Sequence, residues 1–99
     1  MMVTQTPLRP ADVRDLPTLR RFVTQTLCGD FELLEGAFPV TEQFLHRRGT
    51  PCGIHFCIHG PRAVRLTAIW ESGRSRVLFY GEHGQRIRSV EIPHTIPLP

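Results

Sequence analysis

Residues 53–59, Gly-Ile-His-Phe-Cys-Ile-His, alternate bulky apolar side chains with His or Cys, and nothing else in the chain constrains the fold as tightly. Side chains on a strand point alternately to opposite faces of a sheet. Ile54, Phe56 and Ile58 therefore define a core face, and His55, Cys57 and His59 share the other. Such a strand needs partners, and the chain supplies them. Gly60-Pro61, Ser72-Gly73-Arg74 and His83-Gly84 separate β-rich runs at short spacing, the pattern of an antiparallel meander.

Matching apolar faces sets expected registers. A three-residue loop at His59–Pro61 puts Ile58 opposite Arg62, Phe56 opposite Val64 and Ile54 opposite Leu66. A two-residue Gly73-Arg74 turn of type II′ puts Glu71 opposite Arg76, Trp70 opposite Val77, Ala68 opposite Phe79 and Arg65 opposite Glu82, which adds opposite-charge pairs. A His83-Gly84 turn puts Val77 opposite Val90, Tyr80 opposite Ile87 and Arg76 opposite Glu91. Val40 to Arg48 alternates weakly and is read as an edge strand, with Gly49-Thr50-Pro51 turning into the next.

Upstream, Asp15 to Cys28 reads as a helix. Asp15 is a good N-cap, Pro17 falls in the first turn, and Leu16, Leu19, Phe22, Val23 and Leu27 recur at helical spacing. Gly29 is placed as its stop. Asp30 to Pro39 has no clear period and reads as a connector packed on the core. The fold class expected is α+β: one N-terminal helix on a four- or five-stranded antiparallel meander, as a single domain over 1–99. Residues 1–10 read as a loose arm and the proline-rich 93–99 as an extended tail. Leu8 to Val23 (LRPADVRDLPTLRRFV) resembles the opening strand and first helix of the N-acetyltransferase family. That family's glycine-rich pyrophosphate loop is missing between them, so acetyl transfer is not expected.

Ninety-nine residues bury roughly 65% of their unfolded surface, enough for one sheet and one or two helices. No apolar run approaches the length of about 20 residues that spans a bilayer, and the first ten residues lack a signal-peptide core. The three cysteines, Cys28, Cys52 and Cys57, have no paired spacing and read as reduced thiols. A cytoplasmic protein without membrane contact is expected. All twelve basic residues are arginine, and lysine and asparagine are absent. Arginine suits phosphate partners, yet both absent residues have AT-rich codons, so a GC-rich genome produces the same bias.

One helix covers one sheet face. The opposite face carries His55, Cys57, His59, Arg65, Ile69, Leu78, Tyr80 and Ile87, too apolar in Ile69, Leu78, Tyr80 and Ile87 for a freely solvated surface. Either the 31–39 connector folds across it or a second copy does. The expected role is a small non-enzymatic interaction module with a protein partner, self-association included, and with no catalytic residue. Two alternatives remain. Arg62, Arg74, Arg76, Arg86 and Arg88 could follow the phosphates of a nucleic acid, with Tyr80 stacking a base. His55, Cys57 and His59 could hold zinc, although strand positions i and i+4 stand about 13 Å apart. A Cys57 nucleophile flanked by histidines lacks an orienting third group and an oxyanion hole.

Overall fold

The computed structural model describes residues 7–99. One helix, α1 (Leu16–Asp30), precedes five strands: β1 (Val40–Arg47), β2 (Thr50–His59), β3 (Arg65–Glu71), β4 (Arg76–Tyr80) and β5 (Arg86–Glu91). They form one antiparallel sheet in the order β1-β2-β3-β4-β5, an unbroken meander. The fold class is the expected one, with five strands rather than four. No helix among the described residues is long and apolar enough to cross a membrane.

The helix starts where its sequence dictates. The Asp15 carboxylate accepts from the Thr18 backbone N–H at 3.0 Å, and the Thr18 hydroxyl accepts from the Asp15 N–H in return. This satisfies donors that have no intrahelical partner. Its end differs from expectation. Gly29 stays helical, the helix runs to Asp30, and Phe31 closes it by donating to Leu27 O at 3.2 Å. Leu19, Phe22, Val23 and Leu27 bury one face against β2 and β3.

Below the helix, Ile54, Phe56, Ile58, Leu66, Ala68, Trp70, Val77 and Phe79 complete the core. Phe22 meets Phe79 edge-on, with ring centroids 6.1 Å apart. Bulk alternates across the strands. Trp70 pairs with Ile54, but small Ala68 faces Phe56. Arg20 clamps Glu42 of β1 with two hydrogen bonds of 2.6 and 3.0 Å, tying the helix to the edge strand.

All four hairpin loops correct the expected geometry. Between β2 and β3, Ile58 pairs with Leu66, Phe56 with Ala68 and Ile54 with Trp70, four residues beyond the expected register. A shift of four preserves which face each side chain occupies, so alternation alone cannot detect it. The extra length forms a turn over Pro61–Ala63 in which Arg62 and Ala63 have φ of 58° and 62°, closed by Gly60 N–H donating to Val64 O at 2.8 Å. Between β3 and β4 the register is as expected, Glu71 with Arg76 and Trp70 with Val77. The turn is not type II′, however: Gly73 is not left-handed, and Ser75 is, at φ 49°. The ladder ends at Thr67–Tyr80, short of the expected Arg65–Glu82 pair. Between β4 and β5, Val77–Val90 and Arg76–Glu91 form as expected. Tyr80 pairs with Arg86 instead of Ile87, across an irregularity beside Phe79. The turn there is Gly81–Gly84, with Gly84 at φ 76°.

The β1–β2 hairpin turns on Arg48 and Gly49, both with positive φ (51° and 79°), as a two-residue type I′ turn demands. That places the turn one residue earlier than Gly49-Thr50-Pro51. Pro51 and Cys52 then bulge opposite His46, which accommodates a proline in an internal strand.

Both ends of the described stretch are anchored. Residues 1–6 of the expected arm lie outside the described residues. Leu8 donates its N–H to the Gln25 side chain at 2.8 Å and packs on the core. No strand precedes α1 among the described residues; Pro10–Asp12 is a single 3-10 turn. Residues 93–99 carry no regular structure but are not free. Ile92 and Ile96 are buried in the core, the Ser75 hydroxyl donates to Ile92 O at 2.9 Å, and His94 Nε2 lies 3.0 Å from Ala11 O.

Candidate functional site: the uncovered sheet face

Each strand contributes alternate residues to the face away from α1. Their ladder positions bring Thr41, Gln43 and Leu45 of β1 beside Cys57, His55 and Gly53 of β2. Thr67, Ile69 and Glu71 of β3 come next, then Tyr80, Leu78 and Arg76 of β4. His55 thus stands between Gln43 and Ile69, and Ile69 beside Leu78. The connector does not cover this surface: Phe31, Leu33 and Phe38 pack against the helix-side core, and Leu34 is 75% exposed. Cys57 and Leu78 are buried, Ile69 and Tyr80 are half-buried, and Ile87 is 41% exposed.

The polar members are distributed along the face without converging. The His59 ring nitrogen meets the Thr41 hydroxyl at 3.0 Å. Arg65 sits opposite His59 at one end of β3. Among the described residues, no three His, Cys, Asp or Glu side chains are placed to hold one metal ion. Burial raises the Cys57 thiol above its ordinary value of 9.0, with the Arg65 charge pulling weakly the other way. A thiol so raised stays protonated near neutrality and is a poor nucleophile. Burial acts in the same sense on Cys28, and the charge of Glu35 adds to it.

A pH prediction follows from these two thiols. A folded-state pKa above the unfolded value means the folded chain holds its protons longer. The stabilisation is therefore complete below about pH 9 and is lost as pH rises through the folded values. Thermal unfolding between pH 8 and 11 should show a falling midpoint above about pH 9. Iodoacetamide at pH 8 should modify half-exposed Cys52 before Cys28 or Cys57. Modification of Cys57 first would contradict the burial account.

The five arginines considered for nucleic acid do not form a single stripe. Arg88 reaches to the helix side, where its Nη2 donates to Asp30 at 2.7 Å. Arg76 lies on the uncovered face and donates to Glu71 at 3.2 Å. Arg62 is in the β2–β3 loop, Arg74 is in the β3–β4 turn at the other end of β3, and Arg86 opens β5 opposite Tyr80. The feature that sequence reasoning missed is a cleft at that end of the face, of about 610 Å³, lined by Leu45, Arg47, Ile69, Glu71, Arg74 and Arg76 among others. Its residues come from three separate stretches of chain, so no local spacing announces it. No family model matches the sequence, and neither a curated protein nor a solved structure matches it significantly.

Proposed function

We propose that this domain is a non-enzymatic protein-interaction module that uses the uncovered sheet face as its contact surface, with a second copy of the chain as occupant. The observation that carries this reading is the lopsided packing. Helix, connector and C-terminal segment all pack with the helix-side core, while on the other face Ile69 and Tyr80 stay half-buried and Ile87 is exposed. Sheets bury such faces by packing face to face at about 10 Å. A two-fold arrangement needs only one self-complementary patch. The edge strands β1 and β5 add unpaired backbone groups at the rim, which is where further association is expected.

Mass in solution tests the reading. Light scattering on untagged protein between about 10 µM and 1 mM, the range of micromolar to millimolar affinities, is expected to show mass rising from 11.3 kDa towards twice that value. A mass fixed at the monomer value throughout contradicts self-association.

A further inference from the structure

We propose that the cleft between the end of β1 and the β3–β4 turn binds the phosphate group of a small phosphate monoester. The inference does not require self-association, although the cleft borders that patch and shares Ile69 with it. Three guanidiniums line the cleft, each from its own element: Arg47 from the end of β1, Arg74 from the turn and Arg76 from β4. One carboxylate, Glu71, lies among them.

Glu71 does not use up their donors. Arg76 gives it only Nε, at 3.2 Å, and a guanidinium carries five N–H groups. Arg74 Nε stands 3.9 Å from the second Glu71 oxygen, too far for a hydrogen bond. Arg47 forms no ion pair among the described residues. Glu71 therefore orients Arg76, and the remaining donors of the three arginines are available.

Charge then selects the ligand. Among the lining residues three guanidiniums against one carboxylate leave two positive charges, with Glu91 opposite Arg76 just outside the lining. A phosphate monoester carries about −1.5 to −2 near neutrality, whereas a carboxylate balances only half. Guanidiniums also match phosphate oxygens in pairs. The ester portion has its own place. Leu45 and Ile69 form an apolar wall, and Gly53, between Leu45 and Glu71 in the ladder, adds no side chain to that part of the face. The volume of about 610 Å³ lies within the range of small-molecule sites, about 300 to 1,000 Å³.

The test is an amide chemical-shift titration of the full chain with phenyl phosphate, inorganic phosphate, phenol and a single-stranded oligonucleotide. Saturable shifts centred on Ile69, Glu71, Arg74 and Arg76 are expected with phenyl phosphate, and weaker binding of the same kind with inorganic phosphate. Arg47→Ala/Arg74→Ala, two substitutions at exposed positions, should weaken phenyl phosphate by about tenfold or more while the spectrum stays dispersed. The proposal is overturned by any of four results. These are no saturable shift up to about 20 mM, well beyond millimolar affinity; unchanged affinity in the double variant; phenol binding as tightly as phenyl phosphate; or tighter binding of the oligonucleotide, which would make the arginines a nucleic-acid contact.

Discussion

Gly53→Ala is expected to destabilise the domain by about 2–4 kcal/mol, more than an ordinary overpacking change, because the obstruction is backbone. A Cβ built on Gly53 collides with the Trp70 carbonyl oxygen, an overlap that no small side-chain movement relieves. Gly53 directly follows the bulge at Pro51–Cys52 and pairs with Glu71 at the end of β3. Urea unfolding of the variant against the parent measures the loss. Gly29→Ala makes the internal comparison. Gly29 is helical, and a Cβ there meets nothing within 4 Å, so this change should stabilise by about 0.5–1 kcal/mol. A neutral Gly53→Ala would show that β2 and β3 do not approach as described.

The second large effect lies at Trp70. It is among the largest fully buried side chains, yet its indole Nε1 is buried without a hydrogen-bond partner. Trp70→Ala should cost about 3–5 kcal/mol through lost burial and the cavity left behind. Trp70→Phe behaves differently. It shrinks the side chain but also removes an unsatisfied donor whose burial costs about 1–3 kcal/mol. The two terms oppose each other, and the net change should stay within about 1 kcal/mol. A Trp70→Phe loss as large as that of Trp70→Ala would mean that the indole N–H contributes a hydrogen bond in solution.

How much of this was legible in the sequence depended on whether parity or length carried the information. Which residues share a face follows from parity. The Ile54-Phe56-Ile58 face, the Leu66-Ala68-Trp70 face paired with it and the Ile69-Leu78 pair on the other face are all readable from alternation. Loop length is different. The β2–β3 register moved by four residues because Arg62 and Ala63 adopt left-handed backbone that their side chains do not advertise. Short apolar spacing hid the C-terminal anchor as well. Ile92 and Ile96 are separated by Pro93, which masks them as core residues until the fold brings Ser75 alongside.

The candidate surface was readable in outline for the same reason. The strand faces that place His55, Cys57 and His59 with Ile69, Leu78 and Tyr80 are set by alternation. The cleft was not readable, because Arg47 and the pair Arg74 and Arg76 meet only after the meander folds. Ion pairing was equally invisible: Arg88 shares the helix-side face with Val90, and there it reaches Asp30, 58 positions away.

The central claim is that the face away from α1 is where this chain meets a second copy. Sedimentation equilibrium of Ile87→Arg beside Leu34→Arg tests it most directly. Ile87 is on the uncovered face and 41% exposed; Leu34, on the connector, is 75% exposed. Both positions tolerate a charge without disturbing the core, so each variant reports on association alone. The prediction is that Ile87→Arg sediments as a monomer of about the parent chain mass while Leu34→Arg still associates. Association abolished by Leu34→Arg and retained by Ile87→Arg would place the contact on the connector and contradict the account.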